Sequence, residues 1–172
     1  VADFRMRMFN MDGSEGEMCG NAVRCIGKYV YERGMTTKNV ITLETLGGIK
    51  TLQLHIQNDI VIAVTADMGE PILEAAQIPV ISDKMPVIGE KLQILDKTFD
   101  VTCVSMGNPH GVIFVDDTEH FEVEKYGEVA EVHPMFPKKA NIEFAHVIDR
   151  THMSMRVWER GSGETMACGT GA

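Results

Sequence analysis

Apolar and polar positions change their spacing several times along the chain, and each change marks an element. Phe4-Arg5-Met6-Arg7-Met8-Phe9 alternates apolar with basic residues, the period of a half-buried strand. Asn10-Met11-Asp12-Gly13-Ser14-Glu15-Gly16 is turn chemistry. From Cys19 the period lengthens. Ala22, Val23, Ile26, Tyr29 and Val30 recur at intervals of three and four, Arg24, Lys28, Glu32 and Arg33 take the other side, and Gly34 ends the run. This predicts an amphipathic helix with Cys19 at its N-terminus and Cys25 along its buried side, a packed core thiol. Residues 39–46, 49–56 and 60–66 then read as an antiparallel meander turning at Gly47-Gly48 and Asn58-Asp59.

Asp67-Met68-Gly69-Glu70-Pro71 breaks that pattern, and a domain boundary is expected near Val64 to Asp67, dividing the chain into units 1–65 and 66–172. Residues 72–90, with Pro79 and Pro86, read as loop and short edge strands. A hairpin follows over 92–95 and 98–105 around Asp96-Lys97. Residues 106–111 interrupt it, 112–115 resume as a strand, and 122–132 read as a short helix. Strands over 140–148 and 152–158 lead into a second Gly-rich stretch.

That last stretch, Arg156 to Ala172, answers an earlier one, Arg7 to Ala22. A shift of 149 positions (168 − 19) needs no gap and places Met6 on Met155, Arg7 on Arg156, Phe9 on Trp158, Glu15 on Glu164, Cys19 on Cys168 and Gly20 on Gly169. The expectation is a duplicated unit that delivers one thiol from each half to one site.

Composition narrows the options. A net charge of −9, a pI of about 5.1 and no Lys/Arg cluster argue against nucleic acid or an anionic membrane as partners. No apolar run approaches the ~18 residues of a membrane span. The chain opens on Val1 just before a strand-like run and closes just inside an expected helix, so it reads as an internal piece of a longer protein. Cys19, Cys25, Cys103 and Cys168 form no CxxC pair, and the six His make no zinc spacing. Four cysteines are too sparse for a secreted disulfide scaffold, which favours free thiols in a reducing cytoplasm.

A helix N-terminus offers free N–H groups and partial positive charge, so a thiol there is a usable base or nucleophile at neutral pH. The same groups bind a carboxylate, and glycine at the next position allows close approach. Two such termini related by a pseudo-twofold axis could hold one small anion with a thiol on each face of its α-carbon. That is the geometry a cofactor-free racemase needs.

Phe9-Asn10-x-Asp12-Gly13-Ser14-Glu15, Cys19-Gly20-Asn21-x-x-Arg24-Cys25, Gly107-Asn108-Pro109-His110, Ala140-Asn141-Ile142-x-Phe144, Trp158-Glu159-Arg160-Gly161 and Ala167-Cys168-Gly169-Thr170-Gly171-Ala172 together resemble the diaminopimelate epimerase family, in order along essentially the whole chain. The resemblance implies an α+β fold of two pseudo-symmetric domains, each a curved, mostly antiparallel sheet around a central helix. It implies interconversion of LL- and meso-2,6-diaminoheptanedioate without cofactor or metal, in lysine and peptidoglycan-precursor synthesis. The partner implied is this small-molecule substrate, with no nucleic acid and no membrane, and a homodimer is the assembly to test for.

By matching positions, Cys19 and Cys168 are the acid/base pair, and Gly20, Asn21, Gly169 and Thr170 hold the carboxylate at the reacting centre. Asn10, Asn108, Asn141 and Arg160 bind the distal amino-acid end, Glu159 meets an amino group, and His110 borders the site. Read without the family, Asn108-Pro109 is ordinary turn initiation, and Glu159-Arg160 could be a solvated charge pair. A proline- or hydroxyproline-type racemase uses the same two-thiol logic and is the alternative. The family's opening segment and the helix expected after Cys168 are not in this sequence.

Overall fold

The computed structural model describes residues 1–10 and 13–172. Met11 and Asp12, in the turn read from the sequence and, for Asp12, in the family motif, lie outside the described residues. The fold is mixed α+β, with two sheets, each carrying its own apolar cluster, and a small hairpin.

The first sheet has the order β1-β4-β5-β6. β1 (Phe4–Arg5) lies parallel to β4 (Val40–Thr45), and β4, β5 (Gly48–Gln57) and β6 (Ile60–Asp67) form the antiparallel meander. Its turns fall where the sequence put them: Gly48 has φ 95°, and Asn58 and Asp59 have φ 51° and 60°, the positive values a tight hairpin requires. Residues 4–9, expected as one strand, divide. β2 (Met8–Phe9) leaves the sheet and pairs with β3 (Glu15–Gly16), while Met6 between them stays buried in the first cluster. The alternation was correct for burial, but the strand bends to serve two partners.

α1 (Gly20–Glu32) packs its Val23, Gly27 and Val30 face on β5 and β6. A Cβ at Gly27 would stand 3.0 Å from Leu54 Cδ2, so helix and sheet meet at contact distance. Cys25 is exposed, against the expectation of a core thiol. Two residues beyond Val23 it lies about 200° around the helix, on the far side from the buried stripe. Tyr29 is exposed for a similar reason: it edges the stripe rather than centring it.

The second sheet has six strands in the order β12-β11-β10-β9-β8-β7. These are β7 (Glu90–Ile94), β8 (Lys97–Ser105), β9 (Pro109–Phe114), β10 (Asn141–Val147), β11 (Met153–Glu159) and β12 (Gly163–Thr165). Only the β9–β10 pair is parallel; the other pairs in this sheet are antiparallel. β9 begins at Pro109, three residues before the expected start, because Pro109 pairs with Ser105 and needs no N–H donor to do so. Pro109 and His110 therefore belong to the sheet and not to an interrupting loop. β12, too short to show a period, was not anticipated.

α2 (Val123–Glu131) covers one face of this sheet, against Ile142 and Phe144 of β10 and Trp158 of β11. Strand alternation sends Asn141 and Glu143 to the opposite face, along with His110, the partner of Asn141 in the parallel register.

The internal repeat is a repeat of structure. Met8↔Gly16 and Phe9↔Glu15 in the first hairpin correspond, residue for residue, to Val157↔Thr165 and Trp158↔Glu164 in the second. A two-pronged ion pair spans each: Arg7 Nε and Nη2 donate to Glu15 at 2.9 and 2.9 Å, and Arg156 donates likewise to Glu164 at 2.7 and 3.0 Å. Arg156 also donates to the carbonyls of Thr118 and Phe121 at 3.0 and 2.9 Å, which fixes the approach to α2.

Gly127 shows how tightly α2 seats: a Cβ there would lie 2.6 Å from Trp158 Cβ and 2.7 Å from its Cγ. Alanine in a helix gains about 1 kcal/mol over glycine, whereas overpacking costs roughly 1–3 kcal/mol. These atoms belong to the fixed base of the indole, so the clash should win. Gly127→Ala should lower the urea midpoint of unfolding, and an unchanged or higher midpoint would show that α2 can move away freely.

Candidate active site

Each cysteine loop follows one of the paired hairpins. Cys19 is the N-cap of α1, with extended backbone (φ −141°, ψ 111°), and its Sγ accepts from the Ala22 N–H at 3.4 Å. Cys168 sits three residues after β12, with 5% of its surface exposed, and its Sγ lies 3.3 Å from Thr170 Oγ1. Gly169, Thr170 and Gly171 form a turn.

The electrostatics of Cys168 differ from the sequence expectation. Burial pushes its thiol up, the hydrogen bond from Thr170 partly opposes this, and the nearby carboxylates of Glu159 and Glu143 add to the rise. The net effect favours the protonated thiol at Cys168.

The two loops meet back to back. A Cβ at Gly20 would lie 2.9 Å from the carbonyl carbon of Gly169, and one at Gly169 would lie 2.9 Å from Asn21 Oδ1. Only two glycines permit this approach. Asn21 Nδ2 donates across the seam to the Ala167 carbonyl at 3.1 Å, and Arg24 Nη2 fixes the Asn21 amide by donating to its Oδ1 at 2.9 Å. Arg160 crosses the same seam to form an ion pair with Glu17, two residues before Cys19.

Around Cys168 the polar side chains form one buried cluster. Thr170 Oγ1 accepts from Asn108 Nδ2 at 3.1 Å, Asn108 Oδ1 lies 3.0 Å from His110 Nε2, and His110 Nδ1 lies 2.6 Å from Glu143 Oε1. His110 is 1% exposed and Glu143 is fully buried. Asn141, also buried, spends its amide on the fold: Oδ1 accepts the Arg160 N–H at 2.8 Å, and Nδ2 donates to the Pro109 carbonyl at 3.3 Å.

Cys19, Gly20, Asn21, Gly169, Cys168, Thr170, Asn108, His110, Asn141 and Arg160 are therefore brought to one seam. Among the described residues, the Asn10 side chain bonds within its own turn, Nδ2 to Ser14 Oγ at 3.0 Å. Glu159 accepts from Thr165 Oγ1 at 2.6 Å inside the β11–β12 hairpin and reaches the cluster through its charge on Cys168. Two members were not anticipated, Glu17 and Glu143. The signal for Glu143 was available: it is a carboxylate within an otherwise apolar run, at the open position of Asn141-Ile142-x-Phe144. Glu17, in a Gly-rich turn, carried none.

His110, Glu143 and Cys168 bring three donor atoms within 4.8 Å of one another, as a metal site would. Both His110 nitrogens are already hydrogen-bonded, so a cation would have to displace Asn108 or Glu143.

The family model for diaminopimelate epimerase matches residues 1–74 and 102–172. Diaminopimelate epimerase of Methanococcus maripaludis (strain DSM 14266) is 57% identical over 172 residues, 100% of this chain and 62% of that protein. The enzyme of that name from Acetivibrio thermocellus is 61% identical over 171 residues, 99% of this chain and 61% of its own length. The chain thus spans about three-fifths of the length of these relatives. Among solved structures, a probable proline racemase from Agrobacterium radiobacter K84 with bound carbonate matches with a TM-score of 0.72 at 12% identity, covering 96% of this chain and 52% of its own. A hydroxyproline epimerase from Agrobacterium vitis with bound trans-4-hydroxy-L-proline matches with a TM-score of 0.70 at 13% identity, over 96% and 51% of the respective chains. At such identities the likeness is one of fold.

The thiols should separate by reactivity. Burial raises Cys103 to about 12, and alkylation requires the thiolate. Under iodoacetamide at pH 8, with labelling read peptide by peptide in a mass spectrometer, exposed Cys25 should label early and Cys103 only on unfolding. Early labelling of Cys103 would contradict its buried placement in β8.

Proposed function

The chain belongs to the diaminopimelate epimerase family, and from that premise we propose that the protein interconverts LL- and meso-2,6-diaminoheptanedioate by a two-thiol acid/base mechanism, in the cytoplasm, on the route to lysine and peptidoglycan precursors. The single observation that carries this reading is the glycine-to-glycine contact of Gly20 and Gly169, which places the loops of Cys19 and Cys168 against each other.

In this mechanism the substrate's reacting carboxylate lies at the start of α1, where unbonded N–H groups and the helix dipole favour negative charge. One cysteine, as thiolate, removes the α-proton, and the other, as thiol, protonates the carbon from the opposite face. Cys168, which burial keeps protonated, is suited to give its proton when Cys19 is the base. Reaction in the other direction exchanges the roles. As the carbanion forms, charge moves onto the carboxylate, and the N–H groups that bind it stabilise that charge.

The distal end of the substrate, an amino group and a carboxylate, would be read by Arg160 with Asn10, Asn108 and Asn141, and Glu159 would meet an amino group. Guanidinium binds carboxylate through two parallel donors. The Glu17 carboxylate occupies Arg160 here, so the substrate's carboxylate would replace it. A ligand lacking that second end has no carboxylate to exchange for Glu17 on Arg160, which is the physical basis for preferring a diamino diacid.

A proline or hydroxyproline racemase remains the second reading because the solved structures of that kind share the fold. Deuterium incorporation from solvent into each candidate substrate, using the full-length protein, separates the two. Diaminoheptanedioate should exchange and proline should not. Cys19→Ser and Cys168→Ser should each lower turnover by roughly 10²–10⁴-fold, the usual contribution of a general acid or base. Near-normal turnover in either variant would sink the two-thiol scheme.

A further inference from the structure

The hydrogen bonds around Cys168 have a direction, and it can be worked out from donor and acceptor chemistry alone. Asn108 Nδ2 donates to Thr170 Oγ1 at 3.1 Å. The Asn108 carbonyl oxygen can then only accept, so the His110 Nε2 that faces it at 3.0 Å must carry a hydrogen. Thr170 Oγ1, having accepted from Asn108, directs its own hydrogen to the neighbouring atom at 3.3 Å, the sulfur of Cys168. At the far end His110 Nδ1 and Glu143 Oε1 stand 2.6 Å apart, a contact that requires one proton between them. Whichever atom carries that proton, the pair as a whole is uncharged.

We propose that Glu143 is a positioning residue of this site: through the proton it shares with His110, its buried carboxyl sets the direction of the chain His110 → Asn108 → Thr170 → Cys168, which ends with an O–H donor on the sulfur. The proposal deepens the two-thiol reading and rests on it for its catalytic meaning.

The alternative direction shows what the shared proton does. With Glu143 as a carboxylate and a hydrogen only on His110 Nδ1, Nε2 is a bare acceptor. The Asn108 amide then turns over to donate to it, the Thr170 hydroxyl turns to donate to Asn108, and Cys168 loses its donor. A thiolate at Cys168, formed when it gives up its proton or acts as base, needs that donor, because burial and the nearby Glu159 and Glu143 all oppose its charge.

The surroundings fit a device built for this purpose. Glu143 Oε2 is buried without a hydrogen-bond partner among the described residues, an arrangement that fully ionised carboxylates avoid. A Cβ at Gly171 would run into Glu143 Oε1, so glycine there lets the turn after Cys168 close directly over the carboxyl. The groups facing the pair are Asn108, Asn141, Thr170, Cys168 and, through its charge, Glu159. Asn108, Asn141 and Thr170 are not bases, burial favours the protonated thiol at Cys168, and Glu159 Oε1 already accepts from Thr165 Oγ1 at 2.6 Å.

The test reads Cys168 directly and does not depend on turnover. In the full-length protein, the rate of iodoacetamide labelling of the Cys168 peptide is followed against pH for the wild type, Glu143→Gln, Glu143→Leu, Thr170→Val and the Glu143→Leu/Thr170→Val double variant. Loss of the donor should slow labelling near neutral pH by about tenfold in Glu143→Leu and in Thr170→Val, since a hydrogen bond to a charged group is worth roughly 1.5–3 kcal/mol. Glu143→Gln should recover most of the rate, because its amide N–H can donate to His110 Nδ1 and preserve the direction. The double variant should be no slower than either single one, because both changes break the same chain. Unaltered labelling in Glu143→Leu would overturn the proposal, and so would losses that multiply in the double variant. Thermal unfolding of each variant separates these outcomes from a misfolded site: a Glu143→Leu protein that melts with the wild type yet labels tenfold more slowly supports the chain. If Cys168→Ser kept its turnover, the two-thiol reading would fall while the labelling result stood on its own.

Discussion

The constraint on which the structure depends is steric. Two backbones, distant in sequence, touch at Gly20 and Gly169, with no room for a side chain on either. The other features of the seam follow from that contact. Asn21 can reach the Ala167 carbonyl, Arg160 can reach Glu17, and a thiol precedes each glycine. A single methyl group at either position would push the loops apart.

The two halves reach this contact through the same hairpin, in the same register and with the same arginine–glutamate clasp, yet they treat their cysteines differently. Cys19 caps an amphipathic helix and remains partly open to solvent. Cys168 is enclosed by a polar cluster on the face of the second sheet opposite α2. A pseudo-symmetric scaffold thus supplies two thiols in unlike surroundings. In the proposed two-thiol scheme, these unlike surroundings would favour different protonation states for the two sulfurs.

Much of this was legible in the sequence because it is written in local periods. The α1 stripe, the meander, the β7–β8 hairpin and the 149-residue offset (168 − 19) all follow from spacing alone. What was not legible depends on partners far along the chain. Cys25 was misplaced because a stripe of helical spacing fixes a face only to within a residue or so, and the sheet decides where its centre lies. Pro109 and His110 were read as loop because Asn108-Pro109 is ordinary turn chemistry, and only pairing with Ser105 shows the strand starting there. Glu143 and Glu17 were missed because neither alters a period: one hides inside a strand and the other inside a turn. Asn141 was correctly seen as out of place in a strand, but the described geometry shows its amide holding backbone groups of Arg160 and Pro109.

The bridge between Arg160 and Glu17 has a further consequence. On the proposed reading, an incoming carboxylate would meet a guanidinium that Glu17 has already oriented and partly desolvated. Capture at that point is partner exchange: one charge pair opens as another closes, and the count of opposite charges in contact stays the same. Such an event responds weakly to ionic strength and draws little on desolvation, while the displaced Glu17 is released beside the loop that carries Cys19. On the proposed reading of Arg160, occupancy at the distal end of the ligand would reach the loop of Cys19 through Glu17.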